Sequence, residues 1–255
     1  METLFIGKNL LFLHEVESTN TYAIDLLRSV NVIEGTIIYA NHQTKGKGQR
    51  GASWRSEIGQ NITASYILKP HFLIQKDTFY LSKISALAVY DALTDILLDS
   101  HYDIKIKWPN DILINRHKIA GILIENTFSA SSLQYAVIGI GININQVNFE
   151  DINYLVTSLK LLTKMNFEKE YVLKLVSLKL EKWYLKLKNQ QLEFIDNQYK
   201  KALYGMDEKQ MFKNRDSIEF EGEIIGVNQN GKLQMKLNDL KISEFDIKEI
   251  TFLIP

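Results

Sequence analysis

Asn41-His42-Gln43-Thr44-Lys45-Gly46-Lys47-Gly48-Gln49-Arg50-Gly51-Ala52-Ser53-Trp54 packs three glycines and three cations into seven residues, with a tryptophan just beyond. Upstream, Gly35-Thr36-Ile37-Ile38-Tyr39-Ala40 is β-branched and apolar, so it reads as a strand running into a loop. Glycines at this density let a backbone approach a ligand and turn its N–H groups inward. Lys45, Lys47 and Arg50 add positive charge, and the chemistry they point to is the holding of an anion such as phosphate. Gly46, Gly48 and Gly51 also spell G-x-G-x-x-G. A dinucleotide fold needs a helix to open inside that motif and an acidic residue about 20 positions on. Here Ala52 to Gln60 is polar and broken by Gly59, and Asn61 to Leu68 alternates like a strand. Strand–loop–strand is not a Rossmann context. No Lys-Ser or Lys-Thr follows the last glycine, so it is not a Walker A loop either. The plain alternative is a flexible basic surface loop.

Working outward, the 255 residues accommodate one large domain, or a main domain plus a small one. Thirty basic and thirty acidic residues cancel, so whole-chain charge gives no case for nucleic acid or an anionic membrane. The absence of cysteine excludes disulfides, thiolate nucleophiles and cysteine metal sites. No apolar run approaches the roughly 20 residues that span a bilayer, and Met1 to Phe5 is no signal peptide, so a cytoplasmic location is the default expectation.

Along the chain, Asn9 to Leu13 reads as a short strand. Ser18-Thr19-Asn20 supplies good helix caps before Tyr22, Ala23, Leu26 and Leu27 recur at helical spacing. A helix start with free hydroxyls and N–H groups suits a polar or anionic ligand. Asp77 to Leu98 is the clearest helix, with Asp77 placed to cap it and Leu81, Ile84, Ser85, Ala88, Ala92, Leu93 and Ile96 as its stripe. Ile104 to Ile114 reads as two strands interrupted by Trp108-Pro109-Asn110-Asp111, with Lys105 and Lys107 on one face, which is either solvated or lines a site. Asn115 to Lys118 is the turn into a strand from Ile119 to Glu125. Gly121 within that strand, and Gly139 and Gly141 within Tyr135 to Asn145, argue for crowding against another group. Two helices follow, about 168–187 and 189–204. The stretch 205–213 looks like a boundary. Beyond it, alternation over Ser217 to Val227, the Asn230-Gly231 hairpin signal and Leu233 to Leu237 predict a compact barrel. The expected domains are 1–207 and 208–255.

Ser18-Thr19-Asn20, Gln43 to Gly51 with Trp54, Lys107-Trp108-Pro109-Asn110-Asp111, Lys118 to Glu125 and Gly139-Ile140-Gly141-Ile142-Asn143 occur in the order typical of biotin protein ligases. The chain resembles that family over about residues 10 to 145. The resemblance implies an α+β fold: a mixed central sheet with flanking helices, of the class II synthetase-like type, plus a small C-terminal SH3-like β-barrel. It implies ATP and biotin as substrates, with Mg²⁺ on the triphosphate. It also implies two steps, formation of biotinyl-adenylate and transfer of biotin to one lysine of a biotin carboxyl carrier protein.

Carried over position by position, the family roles give Ser18, Thr19, Asn20 and Gln43 to the biotin head group. Gly46, Lys47, Gly48, Gln49 and Gly121 also fall to biotin, with Lys47, Gly48 and Gln49 over its carboxylate and the adenylate phosphate. Lys118 falls between carboxylate and α-phosphate. Arg50, Gly51, Trp54, Lys107, Asn110, Asp111 and Asn143 fall to ATP or the adenylate. Lys118, Arg50 and Asp111 are the catalytic candidates, Asp111 for orienting or deprotonating the acceptor lysine. No residue is assigned to a metal.

The family's usual loop reads Gly-Arg-Gly-Arg-Arg-Gly, whereas this chain carries Lys47 and Gln49. Lysine loses the planar fork of arginine and glutamine loses a charge. The expectation is a looser hold on the adenylate, checked by whether Gln49→Arg slows its release. The catalytic motifs begin near Met1, so no DNA binding is expected. The rival readings are a lipoate or octanoate ligase and a non-catalytic biotin sensor. Edge strands leave open both a homodimer and pairing with the carrier.

Overall fold

The computed structural model describes residues 2–98, 101–129, 132–149, 155–238, 241–247 and 249–253. Its main sheet has seven strands: β1 (Leu10–Val16), β2 (Ile37–Gln43), β3 (Ile62–Leu68), β4 (Ile104–Lys107), β5 (Asp111–Ile114), β6 (His117–Ser129) and β7 (Ser132–Ile142). Their order is β1-β2-β3-β7-β6-β5-β4. Only β1 and β2 pair in parallel, and they are joined by the crossover helix α1 (Thr19–Ser29). The other helices are α2 (Phe79–Ile96), α3 (Leu159–Thr163), α4 (Lys169–Lys188) and α5 (Leu192–Ala202).

Successive strand residues point to opposite faces, and that period sorts the core. Tyr39, Tyr66 and Ile138 join Leu81 and Ile84 of α2 and Val176 and Leu180 of α4 in the large cluster. Their neighbours Ile38, Ile67 and Val137 face the other way, onto Ala23 and Leu27 of α1. Strand β3 lies between these layers and is buried at all seven positions. Thr63 and Ser65 share the α1 side with Ile67, and a buried hydroxyl there needs a partner. That requirement places polar groups under the start of α1.

Helix α2 is buried around most of its circumference, not along one stripe, because α4 and α5 cover the side away from the sheet. The expected cap is corrected too. Asp77 ends a 3₁₀ turn at Gln75–Asp77, Thr78 holds the N-cap position, and no side chain caps α2. Asp77 instead accepts a hydrogen bond from Gln229.

The C-terminal strands are β8 (Lys209–Asn214), β9 (Glu219–Val227), β10 (Leu233–Leu237), β11 (Ile242–Phe245) and β12 (Ile250–Phe252). They form an antiparallel sheet of order β11-β10-β9-β8-β12, which fits an SH3-like domain. The expected barrel is not closed: among the described residues no ladder joins β11, four residues long, to β12, three residues long. Strand β8 overlaps the stretch read as a boundary. The hairpin tip docks on the main sheet, where the Trp108 indole donates to the Gly231 carbonyl at 2.9 Å. Among the described residues no helix is long and apolar enough to cross a membrane.

Candidate active site

One cavity of about 1130 Å³ opens on the α1 side of the main sheet. Its walls come from the start of α1, the loop after β2, strands β3 to β7, and strand β12.

The end beside α1 is lined by uncharged polar side chains, with the Glu125 carboxylate behind Asn20. Ser18 is the N-cap, its Oγ 3.5 Å from the Thr21 amide. The Thr19 amide and hydroxyl both donate to Gln43 Oε1, at 2.8 and 3.0 Å. Ser65 Oγ lies 2.8 Å from Thr19 Oγ1 and 2.6 Å from Asn20 Oδ1, and its single proton serves one of them at a time. Asn20 Nδ2 donates to Glu125 Oε2 at 2.8 Å. Ser18, Thr19, Asn20 and Ser65 are all buried, so the network is fixed before any ligand arrives.

The crowded strand glycines have a physical cause. Gly121 and Gly141 pair across β6 and β7, and the Trp54 indole lies against both. A Cβ on Gly141 would fall 2.4 Å from Trp54 Cε2, and one on Gly139 would fall 2.4 Å from Asn20 Oδ1. Trp54 Nε1 is buried without a hydrogen-bond partner. The glycine-rich loop folds on itself as a small hairpin. The Trp54 amide donates to the Gly46 carbonyl at 2.9 Å and the Gly48 amide to the Ala52 carbonyl at 2.7 Å.

At the centre, Lys118 Nζ lies 2.7 Å from Asp111 Oδ1, and both side chains are about one-fifth exposed (19% and 21%). Lys118 Nζ also stands 5.7 Å from the Trp54 ring centroid. Lys107 pairs in register with Asp111. Burial pushes the Lys107 ammonium below the ordinary lysine value, Asp111 partly restores it, and Lys118 lowers it further. Lys105, on the same face of β4, pairs with Asp103 outside the cavity at 3.7 Å. At the far end Phe252 of β12 covers Lys107, whose Nζ is 5.3 Å from the ring centroid. Thr251 and Arg116 complete that wall.

The structure thus brings most of the expected residues to one cavity. Ser18, Thr19, Asn20 and Gln43 line one end, Lys47, Gly48, Gln49 and Trp54 the loop side, and Lys107, Asn110, Asp111, Lys118 and Gly121 the floor and centre. It does not bring Gly46, Gly51 or Asn143 to the wall. Gly46 and Gly51 shape the loop, and buried Asn143 donates to the Thr157 carbonyl at 3.1 Å. The Arg50 backbone lies in the turn Gln49–Gly51, and its side chain is outside the described residues. Sequence reasoning missed Thr63, Ser65, Glu125, Arg116, Thr251 and Phe252. Hydroxyls at alternate positions of an otherwise apolar strand were a usable signal for Thr63 and Ser65. Nothing local marks Thr251 or Phe252, which reach the cavity only through the docking of the second sheet. Among the described residues no group of three His, Asp or Glu side chains is arranged to hold a metal.

A basic, glycine-lined cavity on a mixed sheet, neutral at one end and cationic at the other, is suited to joining a small acid to a phosphate-bearing partner. Residues 12–143 match the model of the biotin/lipoate A/B protein ligase family. The bifunctional ligase/repressor BirA of Bacillus subtilis is 30% identical over 253 residues, covering 97% of this chain and 76% of that protein. The biotin–[acetyl-CoA-carboxylase] ligase of Paracoccus denitrificans is 35% identical over 132 residues, 52% of this chain and 53% of its own length. The biotin protein ligase of Aquifex aeolicus, solved in complex with biotin and ATP, superposes with a TM-score of 0.79 at 27% identity, covering 96% of this chain and 98% of that one. The chain belongs to the biotin/lipoate A/B protein ligase family.

Proposed function

We propose that this protein is a biotin protein ligase. It activates biotin with ATP to biotinyl-adenylate and transfers the biotinyl group to a lysine of a biotin carboxyl carrier protein. The observation that carries the reading is the polarity of the cavity. A neutral network of Ser18, Thr19, Asn20, Gln43 and Ser65 at one end matches an uncharged ureido ring. Lys118 and Lys107 line the same cavity and supply the positive charge that a carboxylate and phosphates need. The likeness to a ligase solved with biotin and ATP has the same sense.

Both reactants of the first step are anions, so the chief barrier is their mutual repulsion. Fixed cations and N–H groups lower it by holding the carboxylate against the α-phosphate and neutralising charge as phosphorus becomes pentavalent. Lys118 is the central cation, and Asp111 holds its ammonium in place at 2.7 Å. Lys47 and Gln49 of the 46–54 hairpin cover the phosphate side. In the second step the acceptor amine attacks the acyl carbon and AMP departs, so no covalent link to the enzyme is needed. Asp111 then orients the incoming amine. Mg²⁺ would come with the nucleotide substrate, whose phosphate oxygens suit that hard cation. The reaction belongs to the cytoplasm, where ATP is at hand.

The test is incubation of the purified chain with ATP, Mg²⁺, labelled biotin and an isolated carrier domain. Repeated turnover, with label on the carrier and none on a carrier whose acceptor lysine is replaced by arginine, is the expected result. Stoichiometric biotin binding without turnover would turn the reading to a sensor.

A further inference from the structure

Strand β6 carries Glu125 on the same face as Val137, its partner across the ladder in β7. Val137 belongs to the apolar layer of Ala23, Ile38 and Ile67 under α1. A half-buried carboxylate beside such a layer carries a desolvation cost that a leucine would not. Glu125 is not a wall residue of the cavity. It touches Asn20, which is.

The Asn20 amide could lie either way round, and its neighbours settle which. Nδ2 donates to Glu125 Oε2 at 2.8 Å and to the Leu123 carbonyl at 3.3 Å, and both of these groups only accept. Oδ1 is therefore turned to Ser65, 2.6 Å away, and lies against Gly139 of the cavity wall. Three oxygen–oxygen contacts run in line: Asn20 to Ser65, Ser65 to Thr19 at 2.8 Å, and Thr19 to Gln43 at 3.0 Å. Two hydroxyl protons serve all three. An Oδ1 that faces Ser65 draws the Ser65 proton to itself. Thr19 Oγ1 then receives no proton from Ser65 and keeps a lone pair for an incoming N–H. With the amide reversed, Nδ2 would donate to Ser65, the Ser65 proton would turn to Thr19, and both acceptors would be lost to a ligand.

We propose that Glu125 is a positioning residue that selects the acid to be activated. By holding Asn20 one way round, it makes Asn20 Oδ1 and Thr19 Oγ1 acceptors for the ring N–H groups of a cyclic urea. The inference rests on the ligase reading above and says what in the site chooses biotin. A ring without N–H donors, such as a dithiolane, would leave those acceptors unmet in a buried place, which is costly.

The experiment compares the full chain with Glu125→Met and Glu125→Gln, by calorimetric titration with biotin and by ATP–pyrophosphate exchange. Methionine keeps the length of the side chain and removes the acceptor, whereas glutamine can still turn Oε1 to Asn20. Glu125→Met should bind biotin about tenfold more weakly, the scale of one hydrogen bond to a charged group. Its exchange rate at saturating biotin and its KM for ATP should stay within about twofold of the parent, because only binding of the acid is touched. Glu125→Gln should recover biotin affinity to within about threefold of the parent. Biotin affinity within about twofold of the parent in Glu125→Met, or an equal loss in both variants, would overturn the role. So would a rise in the KM for ATP as large as the loss of biotin affinity, the mark of a general disturbance of the fold. A parent chain that binds lipoate and not biotin would overturn the choice of acid and this inference together, whereas the other outcomes leave the ligase reading standing.

Discussion

Lys118 and Lys107 sit a strand apart, and their surroundings give them different work. Lys118 is held by a carboxylate and faces the centre of the cavity. Replacing it with alanine should lower the rate of adenylate formation by at least about 10²–10³, the usual cost of losing a donor to developing charge. Single-turnover kinetics at saturating biotin and ATP would measure it. Lys107 is held by burial, so its proton leaves below the ordinary lysine value of 10.5. Between that lowered pKa and 10.5 the unfolded chain binds more protons than the folded one, so stability rises with pH in that window. Lys107→Met should flatten the rise, as read from urea midpoints across alkaline pH. The KM for ATP should climb as Lys107 loses its charge, and Lys107→Arg should carry that climb to higher pH. At this scale the sequence was legible where residue type and position are both unusual, as at Gly121, Gly139 and Gly141. It was silent where an ordinary residue reaches the cavity: Phe252 reads as one more tail residue until the second sheet is seen to dock.

The strands and helices were legible because their periods are clear. Strand β3, helix α4 and the hairpin β9–β10 stand within a few residues of where the pattern puts them. What the pattern hid is how ends are tied. Thr78 holds the N-cap position of α2 without a side-chain cap, and Asp77 bonds Gln229 of the other sheet instead. The N-terminus is held by one buried side chain that no local motif announces. Glu181 of α4, 4% exposed, accepts from the amides of Leu4, Phe5 and Ile6 at 2.6, 2.7 and 2.9 Å. Three donors on one carboxylate leave no substitute acceptor when it goes. Glu181→Ala should cost about 3 kcal/mol, measured by denaturant unfolding, and should expose the first residues to protease.

The two sheets meet where the chemistry is proposed to occur, and that long-range docking is what the sequence could not disclose. Gly231 is its tightest point. Its φ is 84°, its carbonyl takes the Trp108 indole proton, and a Cβ there would lie 2.3 Å from Phe79 Cδ2. Gly231→Ala meets both the strained backbone and the clash, so it should destabilise the chain by about 1–3 kcal/mol. It should also raise the KM for ATP, because β12 carries Phe252 over Lys107. Thermal unfolding together with steady-state kinetics would check both effects. The account as a whole rests on biotin being the acid activated in this cavity. The measurement that tests it most directly is ATP–pyrophosphate exchange by the purified chain with biotin, lipoate, octanoate or no acid. The account predicts exchange with biotin alone. Exchange with lipoate or octanoate instead, or none with any acid despite biotin binding, would contradict it.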